Sequence, residues 1–220
     1  WSSDVCSSDL DEGQGEEEGQ GEDEGQGEEE GQGEEQGEDE TPAREPTMEE
    51  RAEAIRRNPR VTGDRVALEK MLREAVAGDD GAIGELEAIE RWLAEGRQVE
   101  VLPEQQNAGV KNPDYRVDGE IVEIKTRNEP LNSRWIKDNI RSANDQIENS
   151  GTGETGAVEI QLRGDAAESA TLEGVERQVR GQFTPTRSLS LTRVSVYVDG
   201  QLFGEWVRNA DGSITRTYPP

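Results

Sequence analysis

Two aspartate-glycine pairs constrain this chain more than any other feature. Asp118-Gly119 and Asp199-Gly200 each separate two short runs with strand character. A two-residue turn of type I′ needs positive φ at both central residues, which Asp-Gly tolerates and bulky or β-branched residues do not. Each pair therefore predicts a tight hairpin with a fixed register. In the first, residues 112–126 read NPDYRVDGEIVEIKT. Closing the turn opposes Val117 to Glu120, Arg116 to Ile121, Tyr115 to Val122 and Asp114 to Glu123. Directly opposed residues share a face, and so do residues two apart on one strand. Asp114, Glu123 and Lys125 thus converge on one face, while Val122 and Ile124 point to the other.

Like charges directly opposed destabilise a hairpin unless a proton or a cation lies between them. Two carboxylates and a lysine suit phosphodiester chemistry. Hard carboxylate oxygens hold a divalent cation, and an ammonium orients water or stabilises developing charge. A solvated outer face of a half-exposed hairpin accounts for the same three residues. The chain contains no histidine. A pair of histidines for proton transfer is thereby excluded, so acid and base must come from Asp, Glu, Lys, Tyr or metal-bound water.

Charge is unevenly placed. Of 50 acidic and 24 basic residues, 18 acids and no base fall in residues 1–40, which leaves a net charge of −8 for the rest. The body is only mildly acidic, which weakens any nucleic-acid reading made from net charge alone. Arg177, Arg180, Arg187 and Arg193 are candidates for a local basic patch. Residues 1–10, WSSDVCSSDL, read as the translation of a short-read sequencing adapter, an artefact rather than protein. Cys6, the one cysteine, then goes with it, and disulfide, zinc-thiolate and cysteine-nucleophile chemistry lose their basis. The natural N-terminus is expected to lie outside this sequence. Residues 11–45 repeat Gly-Gln-Gly-Glu-Glu-Glu with small variations and predict a disordered acidic linker, because nothing apolar offsets ordering and like charges repel. No apolar run is long enough to span a membrane.

Residues 46–97 predict a helical lead-in. Helices are expected over 46–57, 64–77 and 83–94, the last with Ile83, Leu86, Ile89 and Leu93 at helical spacing. The remaining domain, 98–220, opens with a strand over 99–102, a polar loop over 103–111 and the first hairpin. A helix over 132–149 carries Ile136, Ile140, Ala143 and Ile147 on one stripe, against which Val122 and Ile124 are expected to pack. A strand over 157–162, a helix over 172–179 and the second hairpin complete the chain. The fold class is α+β (α/β): a small, mainly antiparallel sheet with two Asp-Gly hairpins, a packed central helix and the helical lead-in.

Helix, strand, acid-bearing hairpin, helix, strand resembles the core of the PD-(D/E)xK nucleases. In that resemblance Glu87 or Glu90 would be the additional helix acid, and Asp114 and Glu123 would hold Mg2+ or Mn2+. A closer resemblance covers residue 99 to the end. The stretches KNPDYRVDGEIVEIKT, LNSRWIKDNIRSANDQIE, AVEIQLRG and RVSVYVDGQLFGEW look like the C-terminal tRNA-nuclease domain of bacterial contact-dependent-inhibition (CdiA) and related polymorphic toxins. Asn112, Pro113, Asp114, Glu123, Lys125, Ser133 and Gln146 occupy the family's motif positions.

The resemblance implies an endoribonuclease acting on tRNA, a cognate immunity protein as partner, and a delivered effector acting in the target-cell cytoplasm. It implies no cofactor in its metal-free version. There Glu123 would be the base for the ribose 2′-hydroxyl, and Lys125 with Arg163 or Arg180 would stabilise the phosphorane. Thr126 joins Arg163 and Arg180 as a substrate-binding candidate, and Ser133 and Gln146 join the catalytic set. Plainer roles stand beside these: Ser133 as a helix cap, Gln146 as a buried structural amide, and Trp135 and Trp206 as core rather than base-stacking residues. A non-catalytic adaptor with an acidic arm is the alternative from another class. Such an adaptor would leave the three hairpin residues on a convex edge rather than in a pocket.

Overall fold

The computed structural model describes residues 44–103, 113–150 and 153–219. The acidic repeat and Asn112 lie outside these residues. Three helices lead: α1 (Met48–Arg57), α2 (Arg65–Val76) and α3 (Asp80–Ala94). Each has a side-chain cap that satisfies free N-terminal amides. Thr47 and Glu50 form a reciprocal capping box on α1, Asp64 accepts from the Val66 and Ala67 amides, and Asp79 accepts from the Ala82 amide. The Asp79 cap starts α3 at Asp80, ahead of its expected start at residue 83.

Eight strands form one sheet whose spatial order is the chain order: β1 (Val61–Gly63), β2 (Val99–Val101), β3 (Tyr115–Val117), β4 (Glu120–Arg127), β5 (Gly156–Leu162), β6 (Leu191–Val198), β7 (Gln201–Arg208) and β8 (Ile214–Tyr218). The pairs β1–β2, β4–β5 and β5–β6 are parallel, and the other four are antiparallel. Between β4 and β5 runs α4 (Trp135–Asn149), and between β5 and β6 run α5 (Gly164–Glu168) and α6 (Leu172–Gln182). The class is α+β as expected, on a sheet larger than the sequence suggested. Both Asp-Gly turns have positive φ at their two central residues, 49° and 90° at Asp118-Gly119, 46° and 77° at Asp199-Gly200. The first hairpin has the predicted register, Val117 opposite Glu120 and Tyr115 opposite Val122.

Helices cover both faces of the central strands. One core joins α1, α2 and α3 to Val99, Val101, Tyr115, Val117, Val122, Ile124 and Ala157. The other joins α4 and α6 to Ile121, Val158, Ile160, Val194, Val196 and Trp206. Val122 and Ile124 are buried, but against α2 and α3 rather than the α4 stripe. The expectation placed one helical layer where there are two. Ile121, Glu123 and Lys125 consequently face α4. All seven residues of β5 are buried, as befits a parallel strand covered on both sides.

The first core is tight where α3 crosses β4. A Cβ added at Gly84 would stand 2.1 Å from Thr126 Oγ1. Gly84→Ala is expected to destabilise the fold by about 1–3 kcal/mol through overpacking. Denaturant titration measures the loss, and adding Thr126→Ala should recover most of it. Thr126, a substrate-binding candidate in the sequence, therefore lies on the α3 side of β4, opposite Lys125, with its hydroxyl buried and unpartnered.

Candidate active site

The short third strand creates the site. β3 pairs with β4 only from Glu120 to Val122. Beyond that the chain leaves β4, and the Asp114 carbonyl accepts from the Leu102 amide at the end of β2. From Glu123 onward β4 has lost its β3 partner, and the Asp114 carboxyl lies at the opening beside Glu123. Alternation along β4 turns Glu123 and Lys125 to the same face, where Lys125 Nζ donates to Glu123 Oε1 and, at 2.8 Å, to Gln146 Oε1 on α4. Ser142, one turn earlier on α4, donates to the same Gln146 oxygen at 3.4 Å. Gln146 is thus buried and also tied to the lysine, which joins both roles the sequence offered it.

Glu123 is 1% exposed, and its second oxygen, Oε2, is buried with no donor. Burial and then the Asp114 charge push the Glu123 carboxyl up to about 8, against the pull of Lys125. A carboxylate oxygen in that position is satisfied by a proton shared with Asp114 or by a cation. Asp114 and Glu123 offer hard carboxylate oxygens, the donor type a divalent ion takes, with one Glu123 oxygen already held by Lys125. Among the described residues no three Asp, Glu, His or Cys side chains form a ready cage.

Sequence reasoning missed a third acid. Glu85 on α3 accepts from the Tyr115 hydroxyl at 2.6 Å. Burial and then Asp114 push Glu85 up to about 7, and burial with Glu85 and Asp114 raises Tyr115 well above its ordinary value. Glu85 and Asp114 line a cavity of about 100 Å³ with Lys70, Glu74 and Tyr115, so α2 also contributes a wall. A signal existed: Glu85 precedes Ile89 by four and Trp92 by seven, an acid on the buried stripe of its helix. The two expected helix acids are engaged elsewhere, Glu87 with Arg163 at 3.1 Å and Glu90 with Arg51 at 2.6 Å.

Other candidates do not join the cluster. Arg163 follows β5 and pairs with Glu87, and Arg180 is mostly exposed on α6, paired with Glu176 at 2.7 Å. Ser133 is exposed in the turn ahead of α4, about 20 Å from Gln146 along the helix axis. It caps nothing. Gln178 of α6 accepts from the Ile136 amide at 3.0 Å and donates to the Asn132 carbonyl at 3.1 Å, supplying from a distant element the partner a local cap would give. The suggested arginine patch does not form, since Arg193 is drawn into the sheet by Glu120, Glu159 and Glu205, and Arg177 pairs with Glu173. Trp206 is a core residue at 0% exposure.

The fold and cluster define an α+β domain with two neighbouring carboxyls, Asp114 and Glu123, a lysine on the same strand face as Glu123, and a third acid near Asp114 from α3, the helix over the other face of the sheet. No protein-family model and no curated protein matches the chain. Among solved structures it is similar to a chain of the CdiA-CT/CdiI toxin and immunity complex from Burkholderia pseudomallei, at 19% identity and a TM-score of 0.33, over 63% of this chain and 85% of that one.

Proposed function

We propose that this chain is a nuclease and that Asp114, Glu123 and Lys125 cleave a phosphodiester bond, with RNA, specifically tRNA, as the substrate. The observation that carries the reading is the buried Glu123 carboxyl, held by Lys125 on one oxygen and left without a donor on the other beside Asp114. Such a group is a base in waiting. Once deprotonated, Glu123 takes the proton of the ribose 2′-hydroxyl, that oxygen attacks the adjacent phosphorus to form a 2′,3′-cyclic phosphate, and the 5′-oxygen leaves as a hydroxyl with a proton taken from solvent water. Lys125, oriented by Gln146, meets the charge on the phosphoryl oxygens. Arg163 and Arg180 are assigned no part in this step, since each pairs with an acid outside the cluster, Glu87 and Glu176. Against an adaptor role stands the 1% exposure of Glu123, since a docking surface needs its charges in solvent, while of the three hairpin residues Asp114 alone lines the cavity beside α2 and α3.

A second reading, a metal-dependent nuclease acting on DNA or RNA, is favoured by the orphan oxygen of Glu123 and the approach of Glu85 to Asp114. Asp114 and Glu123 would hold Mg2+ or Mn2+, which when bound supplies an activated water and neutralises phosphate charge. One assay separates the two. Cleavage of tRNA that persists in excess chelator supports the metal-free route, and loss restored by magnesium or manganese supports the metal route. Cleavage of neither RNA nor DNA under any condition ends the nuclease reading.

The resemblance in the motif stretches supports a toxin domain of the polymorphic type, delivered into a target cell and neutralised by a cognate immunity protein. No helix among the described residues is long and apolar enough to cross a membrane.

A further inference from the structure

Among the described residues three tryptophans occur, and they differ. Trp92 and Trp206 are 1% and 0% exposed, whereas Trp135 is only partly buried, with one side against the α4–α6 core. Trp135 opens α4, and Asn139, Ser142 and Gln146 follow it at i+4, i+7 and i+11. That spacing sets them on one polar stripe headed by an aromatic ring. Glu123, Lys125 and Arg127 alternate along the facing side of β4. The two rows are joined at both ends. Lys125 Nζ reaches Gln146 Oε1 at 2.8 Å, and the Arg127 guanidinium lies over the Trp135 ring, 5.5 Å from its centroid. Two bonds to the Pro130 carbonyl, at 3.2 and 3.1 Å, and an ion pair with Glu129 at 3.0 Å hold that guanidinium in place.

The seam between β4 and α4 therefore starts at the catalytic pair and ends at a cation stacked on an indole. Glu123 and Arg127 are about 13 Å apart along the strand. Bases of single-stranded RNA stack on aromatic rings and on arginine planes, and their phosphates seek cations. Unlike the Trp92 ring, which also has an arginine over it, the Trp135 ring is only partly buried, and the stripe that follows it carries an amide and a hydroxyl in line with the site.

We propose that Arg127 and Trp135 form a stacking platform for one base of a single-stranded RNA segment, adjacent to the phosphodiester bond that Glu123 and Lys125 address. The proposal rests on the nuclease reading and extends it to the form of the substrate: an unpaired segment such as a loop, with at least one splayed base.

The test uses the full chain carrying Glu123→Gln, so that bound RNA stays intact, and a fluorescein-labelled single-stranded RNA oligonucleotide. Trp135→Leu is expected to weaken binding about tenfold, and Trp135→Phe to restore most of it. A set of oligonucleotides with one abasic position each locates the platform. At a single position the difference that Trp135→Leu makes should vanish. Equal binding with and without Trp135→Leu on the intact oligonucleotide overturns the platform and leaves the nuclease reading standing. An equal loss on every abasic oligonucleotide also overturns it, by assigning Trp135 to the fold. If the leucine variant does not fold, tryptophan emission decides: quenching on RNA binding that is absent in Trp135→Phe supports the platform, and quenching that survives Trp135→Phe overturns it. A chain that neither binds RNA with Glu123→Gln nor cleaves it without that change overturns both readings together.

Discussion

Replacing Glu123 by glutamine is expected to lower the rate of RNA cleavage by about 10²–10⁴-fold, the usual contribution of a positioned acid or base, while leaving the fold intact. The two chains should also differ in how stability follows pH. The Glu123 carboxyl is raised to about 8 in the folded protein, from an ordinary value of 4.5. Between these values the folded chain keeps a proton that the unfolded chain has released. The contribution of this group to stability is therefore fully present below about 4.5, falls as pH rises and is lost above about 8. Glu85, raised to about 7, adds to the same slope. Glu123→Gln removes the larger part of it, so the variant should match the parent near pH 5 and exceed it at pH 8.5. Thermal unfolding across that range reads the difference. Activity should run the opposite way in the parent, rising with pH as Glu123 deprotonates. Lys125→Met should be inactive too, and by removing the cation held on Glu123 it should move the rise in any residual rate to higher pH. Wild-type cleavage by both variants would remove the site from this hairpin.

A second large effect is expected far from the chemistry. Glu159 in the middle of β5 is 0% exposed. Arg91 of α3 pairs with it, the Trp92 indole donates to it at 3.2 Å, and Arg193 approaches to 3.8 Å. Burial raises the Glu159 carboxyl, and Arg91 and Arg193 pull it down. Arg91 also lies over the Tyr197 ring at 3.7 Å. Arg91→Met should destabilise the protein by about 3–5 kcal/mol, because it strips a buried carboxylate of its nearest counter-charge. Adding Glu159→Gln should recover a large part of that loss, since the amide keeps the shape without the charge. Urea titration of the two variants and the double variant measures the coupling. A loss of less than about 1 kcal/mol for Arg91→Met would mean that Arg193 alone neutralises Glu159.

Local turn chemistry made the hairpins legible. Asp-Gly accepts two consecutive positive φ angles, so the turn, the register as far as Tyr115 opposite Val122 and the common face of Glu123 and Lys125 could be read from 15 letters, whereas the expected pairing of Asp114 with Glu123 is lost because β3 ends at Tyr115. Helical spacing made α2, α3 and α4 legible for a similar reason: one side of each is buried against a sheet. What stayed hidden depends on contacts distant in sequence. β1 is three residues long and exists through its pairing with β2. β8 is a largely exposed edge strand with the sequence ITRTY, and no burial pattern announces it. Glu159 and Gln161 look like the solvated side of an alternating strand, yet both are buried because α3 lies over them. The covering of both sheet faces also explains why Val122 and Ile124 were assigned to the wrong helix. Glu85 could be found only by treating an acid on an apolar stripe as a signal.

The engagement of α3 with the sheet bears on how this domain can be inherited. Arg44–Pro220 forms one compact unit, and within it the early helices are not an appendage. A recombination junction at residue 98 would strip the sheet of the cover over Val122, Ile124 and Ala157, leave Glu159 without Arg91, and remove Glu85 from the neighbourhood of Asp114. Crossovers that preserve a working cassette must fall ahead of Thr47 and its capping box. That is where the Gly-Gln-Glu repeat lies, and its near-identical units let two genes align in several offsets without breaking a folded element. Exchange within the repeat would thus leave its trace as variation in repeat number, with everything from α1 onward passed on as a block.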